Sequence, residues 1–346
     1  MTPKRLLAKS CADPALPPPA ATLPGHTRSV LDCALVLLNK VGAASLATVG
    51  LPSGMEQRLR RCVLVAALVH DLGKCSDHFQ DMVRKARRAP QLLRHEAASL
   101  LLAETEPLRS WLLGAVEVAL DLDLAYAAAA GHHRCFPSEA LAAEDRGAGC
   151  ETRLMVTHDD LVATLALGTS FLELPPAPAL KSDLVVTRRD ASRAWDQAAD
   201  RVAEALEATT AKRLLAIVKA LLIDADVAGS ALPKADEGTV WIRTALERRP
   251  DSAGLADICA KRLKGAEPAP FQLAVAASAL PVTLVEAGCG TGKTAAAYLW
   301  AMQHAGRQLW FAYPTTGTAT EGFRGYLVGA DVDARLEHSR REVDVD

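Results

Sequence analysis

Five histidines and two aspartates occur in an order that suits metal binding. His70 and Asp71 are adjacent at the end of an apolar segment, so an imidazole nitrogen and a carboxylate oxygen can converge on one cation. The second carboxylate oxygen can bridge to a second cation. The remaining candidate ligands, in chain order, are His26, His95, His132, His133 and Asp226. Asp224 is an alternative to Asp226. Such a set can hold two octahedral cations and leave positions open for water and phosphate.

A second motif, GCGTGKT (288–294), has the composition of a phosphate-binding loop. Its glycines let backbone N–H groups turn toward phosphate oxygens, and the helix that follows adds its N-terminal dipole. Lys293 can reach the β- and γ-phosphates and the Thr294 hydroxyl can bind Mg²⁺, so the predicted ligand is ATP with Mg²⁺. The first position of the usual pattern falls on Ala287. The predicted nucleotide-binding residues of this motif are Gly288, Gly290, Thr291, Gly292, Lys293 and Thr294.

Helices must position the metal-binding candidates. From His26 to about Lys264, apolar residues recur at three- and four-residue spacing, as in SVLDCALVLLNK (29–40) and AKRLLAIVKALLID (211–224). LELPPAPALKSD (172–183) has the composition of a surface loop within this helical region.

The character of the sequence changes after GAEPAP (265–270). A predicted strand, PVTLVEA (281–287), precedes the phosphate-loop motif, and QLWFAYP (308–314) is a second strand candidate. With helices predicted at 293–305 and 316–327, this is the opening of a parallel α/β sheet. We therefore predict a flexible Pro- and Ala-rich tail over 1–24, a helical domain over 25–264 and an incomplete α/β lobe over 265–346.

Composition restricts the class of protein. The 346 residues carry 39 Lys and Arg against 41 Asp and Glu, so any nucleic-acid contact requires a local basic patch. The eight cysteines form no C-x-x-C pair, which argues against a disulfide framework or a thiolate zinc site and favours the cytoplasm. We find no apolar run of the ~18 residues that a membrane helix needs, and no signal peptide.

The ordered histidines and aspartates resemble the HD superfamily of metal-dependent phosphohydrolases. HDLGKCSDHFQ (70–80), with Phe79 and Gln80 closely following HDLGK, is similar to the HD nuclease domain of the CRISPR-associated nuclease-helicases of type I systems. The resemblance implies a mostly α-helical HD bundle followed by a partial α/β RecA-like helicase lobe with a phosphate-binding loop. The similarity covers roughly residues 25–340 and is weak between 140 and 215.

The resemblance also implies roles for single residues. Asp71 becomes the metal bridge and a catalytic residue, and Lys74 a catalytic residue that neutralises phosphate charge, although a solvated lysine is an equally good interpretation. One cation site is then formed by His26, His70 and Asp226, and the other by His95, His132 and His133. Gln272, upstream of the phosphate loop, matches the glutamine that reads adenine in superfamily 2 helicases, although a lone glutamine is usually a solvated helix residue. Pro314, Thr315 and Thr316 resemble a helicase segment that contacts the nucleic-acid backbone.

The implied function is two-metal cleavage of single-stranded DNA in antiviral defence, beside an RNA-guided CRISPR surveillance complex. Imidazole ligands favour Mn, Fe, Co or Ni over Mg. Arg84, Lys85, Arg87 and Arg88 are candidates for tracking phosphates, or else form a solvated face. The acidic D-E-x-H motif and the second helicase lobe are missing, so we expect little or no ATP hydrolysis by this chain alone, and a separate chain as a possible source of the rest. The alternatives are an HD phosphohydrolase of nucleotides or cyclic dinucleotides, and a non-catalytic docking fragment.

Overall fold

The computed structural model describes residues 4–86, 91–133, 136, 151–280, 282–304 and 306–337. The chain divides into two compact units, Met1–Arg243 and Thr244–Asp346. The division lies about twenty residues before the predicted boundary at 264/265, and it falls inside a helix.

The described part of the chain is mostly helical, as predicted. In the first unit, the helices are α1 (Leu23–Thr48), α2 (Glu56–Val69), α3 (Asp77–Val83), α4 (His95–Glu104), α5 (Leu108–Leu113), α6 (Ala119–Ala130), α7 (Asp159–Leu172), α8 (Arg188–Ala205) and α9 (Thr209–Ala231). Helix α10 (Val240–Glu247) spans the division, and the second unit contains α11 (Ser252–Leu263), α12 (Pro270–Ala276), α13 (Lys293–Gln303) and α14 (Thr316–Tyr326).

Helix α2 is the centre of the first unit. Every residue from Cys62 to Val69 is buried, because this stretch is apolar on all sides and α1, α6, α7 and α9 pack around it. The helix ends at Val69, and His70 and Asp71 follow at the buried end of the bundle. The packing of α2 therefore places the polar residues His70 and Asp71 in the protein interior.

A small two-stranded antiparallel sheet was not predicted. Strand β1 (Glu151–Leu154) pairs with β2 (Leu184–Thr187), and α7 lies between them in sequence. Asp77 fixes β1 to the start of α3, since its Oδ1 accepts hydrogen bonds from the Thr152 hydroxyl (2.6 Å) and the Arg153 N–H (3.1 Å). The two strands thus belong to the first unit.

The first described part of the predicted flexible tail over 1–24 is packed rather than free, whereas for the mostly exposed residues 10–20 the tail remains a prediction. Residues 4–9, here called the N-terminal strap, lie against the first unit, and Leu6, Leu7 and Ala8 are buried. Leu7 forms an antiparallel bridge with Thr22, immediately before α1. The apolar LLA triplet explains this packing, whereas the prolines that suggested a flexible tail lie beyond it in sequence.

The second unit lacks the two predicted strands. No strand is assigned among the described residues of 281–287 and 308–314, and Val282, Leu284 and Trp310 are more than four-fifths exposed. A strand needs a neighbour for its N–H and C=O groups, and these segments form no ladder with each other. The unit is instead organised by α11 and α13, whose Leu255, Ile258 and Tyr298 share a small core. The α/β lobe therefore remains a prediction.

Helix α1 is the one helix among the described residues that has the length and hydropathy of a membrane span. The sequence predicted no such helix. Half of its most apolar stretch is buried inside the protein, where it packs against α2, α7 and α9. These contacts are those of a helix in the core of the first unit.

Candidate metal centre

The structure brings together all seven of the predicted ligands. His26 lies in the first turn of α1, His70 and Asp71 follow α2, and His95 is the first residue of α4. The pair His132 and His133 follows α6, and Asp226 lies in the second half of α9. Five segments separated in sequence thus converge on one pocket.

Three of these residues form a first group, defined by His26, His70 and Asp226, whose potential ligand atoms all lie within 4.8 Å of one another. His26 Nε2 is 3.1 Å from Asp226 Oδ1, and His70 Nε2 is 3.9 Å from the same oxygen. Asp224, the alternative to Asp226, is exposed. The geometry therefore selects Asp226.

The second group consists of His95, His132 and His133, whose potential ligand atoms again lie within 4.8 Å of one another. The rings of His132 and His133 are 4.0 Å apart between centroids, and the ring of His95 is 5.6 Å and 5.7 Å from them. His95 and His132 are largely buried, whereas His133 is exposed. One side of this group is thus open to solvent.

Asp71 lies between the two groups. Its Oδ2 is 3.3 Å from both His26 Nε2 and His70 Nε2, and its Oδ1 is 3.4 Å from His95 Nε2. The carboxylate therefore presents one oxygen to each group. This is the arrangement needed for a residue that bridges two cations.

Buried polar atoms without a directed hydrogen bond support the presence of metal ions in this pocket. The Nε2 atoms of His26, His70, His95 and His132, and the Oδ1 atom of Asp71, are buried and lack such a partner. Leaving so many polar groups unsatisfied is costly, and coordinated cations would satisfy them. Mixed imidazole and carboxylate donors suit first-row divalent metals, so the residues present fit such ions.

Backbone carbonyls fix the orientation of two of the imidazoles. His70 Nδ1 donates to the Ala67 carbonyl (2.8 Å), and His132 Nδ1 donates to the Ala129 carbonyl (2.5 Å). A carbonyl oxygen only accepts, so in each neutral ring the proton resides on Nδ1. The Nε2 lone pair is then directed at the centre, as metal-binding histidines require.

Glu96, which was not among the predicted site residues, lies behind His95. Its Oε2 lies 3.2 Å from His95 Nδ1, and Arg94 donates to its Oε1 (3.0 Å). Glu96 is buried, and a carboxylate behind an imidazole orients the ring and raises its basicity. The adjacent residues Arg94, His95 and Glu96 were the available signal in the sequence, since a carboxylate beside a metal-binding histidine can accept a hydrogen bond from its ring.

Burial and the carboxylates shift the pKa values of different histidines in opposite directions. Burial lowers the pKa of His95 to about 4 and that of His132 to about 3, despite the Asp71 charge. Burial also disfavours protonated His70, but Asp71 more than offsets this and raises its pKa. Burial disfavours ionised Asp226, yet its contacts with His26 and His70 hold its pKa below the usual range. At neutral pH, His95 and His132 are therefore neutral and ready to bind a cation.

Lys74 contributes positive charge at the bridge. Its Nζ lies 2.6 Å from Asp71 Oδ2, and its side chain is largely buried. The residue belongs to a 3-10 turn over Leu72–Cys75 that follows α2. The contact with Asp71 favours a role at the centre over the interpretation as a solvated lysine.

Comparison with known proteins agrees with this pocket. The family model described as "Cas3, HD domain" matches residues 8–232, a range that contains all seven candidate ligands. The chain belongs to the Cas3 HD-domain family.

A curated relative extends the similarity beyond the HD domain. The "Putative CRISPR-associated nuclease/helicase Cas3" of Myxococcus xanthus (strain DK1622) is 51% identical to this chain over 99% of its length. The match covers 47% of the relative, so the chain spans about half the length of the protein it resembles. No solved structure matches.

The Phe79–Gln80 pair that suggested the Cas3 family has a structural explanation. The Phe79 ring lies 5.6 Å from Lys74 Nζ and 5.9 Å from the His95 ring. Gln80 Nε2 donates to the Leu7 and Lys74 carbonyls (both 2.8 Å), and its Oε1 accepts from the Leu7 N–H (3.0 Å). The pair therefore connects the turn after Asp71 to the N-terminal strap.

Arg84, the first residue of the predicted basic patch, contacts the protein backbone. Arg84 donates to the Pro14 carbonyl (3.0 Å) and to the Arg5 carbonyl, so its guanidinium holds the N-terminal region. Lys85 is exposed, and Arg87 and Arg88 lie outside the described residues. In the part of the chain that the structure describes, Arg84 therefore has a structural role rather than a role in phosphate binding.

The phosphate-loop motif lies in the second unit, outside the Cas3 HD match. Gly290 and Gly292 have positive φ angles of 76° and 89°, and α13 begins at Lys293. Lys293 Nζ donates to the carbonyls of Ala287 (2.7 Å) and Gly288 (2.8 Å), which folds it over the loop. Thr291 donates to Gly288, and Thr294 lies in the first turn of α13. The loop precedes a helix N-terminus, as an anion site requires.

Both ends of the Gln272 amide are hydrogen-bonded, and one of them contacts this loop. Its Oε1 accepts from the Ala269 N–H (2.8 Å), and its Nε2 donates to the Gly292 carbonyl (3.0 Å). Gln272 is buried, so it is not a solvated helix residue. Its role in adenine recognition remains a prediction.

Proposed function

We propose that this chain is a metal-dependent nuclease that cleaves single-stranded DNA in CRISPR antiviral defence. The observation that supports this most is the position of Asp71, whose two oxygens face the two groups of candidate ligands. Family membership and the name of the relative agree with it.

Two divalent transition-metal ions, held by His26, His70 and Asp226 on one side and by His95, His132 and His133 on the other, would activate a water and polarise the phosphodiester. Asp71 would bridge them. Mn, Fe, Co and Ni suit these donors better than Mg. The chain itself contributes a preoriented set of imidazoles, because backbone carbonyls and Glu96 fix the rings.

Lys74 would stabilise phosphate charge beside the bridge. Its ammonium is held at the Asp71 carboxylate and its stem packs near Phe79, so it needs no reorganisation when an anion arrives. The exposed side of the second group, at His133, is the point where substrate would reach the pocket.

The second unit would bind ATP with Mg²⁺ through the phosphate loop and form part of a RecA-like helicase lobe. The exposed apolar segments around Val282, Leu284 and Trp310 support this, because further strands of the same or a separate chain would cover them. An RNA-guided surveillance complex is the proposed partner that supplies the DNA.

The test uses the whole chain, stripped with chelator and reloaded with Mn, Fe, Co, Ni or Mg. We expect about two ions per chain by elemental analysis, and cleavage of circular single-stranded DNA with the transition metals. Asp71→Asn should abolish cleavage and reduce metal content, with the helical circular dichroism preserved. Asp81→Asn, which neutralises an exposed aspartate on α3, is the matched control and should leave both unchanged.

The alternatives give different results. Hydrolysis of free nucleotides or cyclic dinucleotides with circular DNA left intact would identify a nucleotide phosphohydrolase. No metal above background and no cleavage with any ion would identify a non-catalytic docking module.

A further inference from the structure

Lys9, at the end of the N-terminal strap, brings a positive charge to the metal centre. Its ammonium donates to the Ser230 hydroxyl on α9. That hydroxyl donates to the Asp226 carbonyl (2.6 Å) and lies 3.4 Å from Asp226 Oδ1. One hydroxyl group therefore separates the amine from a candidate metal ligand. Lys9 is only partly buried, so an incoming anion can reach it.

The strap holds Lys9 in a defined position. Asp160 accepts from the Arg5 guanidinium (2.8 Å) and from the Leu6 N–H (2.6 Å). Gln80 pairs with both backbone groups of Leu7, and the Ala8 N–H donates to the Ala21 carbonyl (2.8 Å). Three consecutive residues before Lys9 are thus fixed to different parts of the fold.

The charge at the centre indicates which kind of ligand Lys9 serves. Asp71 and Asp226 carry two negative charges, and two divalent cations would bring four positive ones. The loaded centre is then already cationic before Lys74 and Lys9 are added. Two more ammonium groups repel metal ions, so they do not serve metal binding. They favour an anion instead.

We propose that Lys9 binds a phosphate of the nucleic-acid substrate from the Asp226 side of the centre, while Lys74 acts from the Asp71 side. This inference rests on the proposed nuclease function. Lys9 is then a substrate-binding residue contributed by the strap, and the strap exists to place it. The bond to Ser230 holds the amine at the pocket until a phosphate oxygen replaces the hydroxyl as its acceptor.

The experiment compares three variants of the full chain loaded with Mn²⁺. Lys9→Met keeps the apolar stem and removes the charge, Lys9→Arg restores a phosphate donor, and Lys4→Met removes a charge from an exposed lysine of the same strap. Steady-state cleavage of a short single-stranded oligonucleotide gives kcat and KM separately. Fluorescence anisotropy of the same oligonucleotide at several salt concentrations gives binding.

We expect Lys9→Met to raise KM roughly tenfold, the loss typical of one charge-assisted hydrogen bond, with a smaller effect on kcat. The slope of log K against log salt should decrease by about 0.7, as for the loss of one phosphate contact to a single strand. Manganese affinity should be unchanged or higher. Lys9→Arg should recover most of the KM, and Lys4→Met should match the unaltered chain.

Other outcomes overturn the inference. Weaker manganese binding with unchanged KM would show that Lys9 supports Asp226 rather than the substrate. Loss of thermal stability in both Lys9→Met and Lys9→Arg, with no recovery of KM by arginine, would show a structural role. If the variant and the unaltered chain cleave with equal KM, this inference alone fails. If the unaltered chain neither binds nor cleaves DNA, the proposed function fails and this inference fails with it.

Discussion

Gly73 lies directly against the backbone of His95. A Cβ atom built on Gly73 would stand 2.2 Å from the His95 carbonyl oxygen and 2.5 Å from the Ser99 nitrogen. The contact is reinforced by Ser99, whose hydroxyl accepts from the Gly73 N–H (2.8 Å) and donates to the His70 carbonyl (2.9 Å). The glycine of HDLGK is therefore the reason that α4 approaches closely enough to place His95 beside Asp71.

Gly73→Ala should separate the two groups of ligands. The added methyl group meets backbone atoms that cannot move independently, so we expect a loss of about 1–3 kcal/mol in the free energy of unfolding. Metal affinity at the His95 group should fall because the distance from Asp71 to His95 increases. Thermal unfolding and metal titration measure the two effects. Gly54→Ala is the control, since nothing lies within 4 Å of a Cβ there. Equal behaviour of the two variants would contradict this account of the contact.

The candidate ligands could be predicted because their chemistry is visible in the sequence. Adjacent His and Asp at the end of an apolar helix, and histidines in a fixed order after it, need no tertiary information to be noticed. The close helix contacts needed that information. Gly229, where a Cβ would stand 2.9 Å from the Val30 nitrogen, brings α9 and Asp226 to α1, but a single glycine in a helix has no distinctive pattern. The assignment of metal roles remains a proposal.

The elements that were missed depend on long-range contacts. Strands β1 and β2 are four residues each and are separated by a helix, so no local turn sequence indicates that they pair. Lys9 and Ser230 are 221 residues apart in sequence, and only the fold brings them together. The opposite difference occurs at 281–287 and 308–314, where β-branched and aromatic residues favour strands but the described chain supplies no partner strand. Propensity alone does not create a sheet.

Glu96→Gln should weaken one group of ligands selectively. The carboxylate behind His95 Nδ1 orients the ring and raises its basicity, and loss of such an outer partner typically costs roughly 10–100-fold in metal affinity. We expect this loss for the cation held by His95, His132 and His133, and little change for the other. Titration with Co²⁺, followed by its visible spectrum, resolves the two binding steps.

The control for Glu96→Gln is Glu117→Gln, which makes the same chemical change at an exposed residue. Its two binding steps should match those of the unaltered chain. An equal weakening of both steps in Glu96→Gln would show that Glu96 stabilises the whole pocket, and no weakening would show that His95 is held by other contacts.

Asp77 should make the first unit sensitive to acid. Burial opposes ionisation of this carboxyl, but hydrogen bonds from Thr152, Arg153 and His78 more than offset it and lower its pKa. A carboxyl with a lowered pKa contributes stability that is present above its unfolded value near 4 and is lost as the pH falls through the folded value.

We therefore expect Asp77→Asn to lower the free energy of unfolding by about 1–2 kcal/mol at pH 7, because the hydrogen bonds to β1 lose their charged acceptor. The difference from the unaltered chain should shrink as the pH falls from about 4, where the carboxyl is protonated in the unfolded chain, through the lower pKa that Asp77 has in the folded protein. Urea unfolding of the metal-free chain at several pH values measures this. A difference that stays constant with pH would show that Asp77 acts by shape rather than by charge.

Lys293→Ala should separate nucleotide binding from DNA cleavage. Lys293 Nζ now donates to two carbonyls of its own loop, and a bound nucleotide would offer phosphate oxygens as better acceptors for its charge. We expect the variant to bind a fluorescent ATP analogue at least roughly tenfold more weakly, the typical cost of a hydrogen bond to a charged group. ATP-independent nicking of circular single-stranded DNA should not change, because the seven candidate ligands all lie in the first unit.

Arg307→Ala, which removes an exposed positive charge from the second unit, should affect neither measurement. A loss of nicking in proportion to the loss of ATP binding would mean that the phosphate loop and the metal centre are coupled, and that the nuclease depends on the nucleotide state of the second unit.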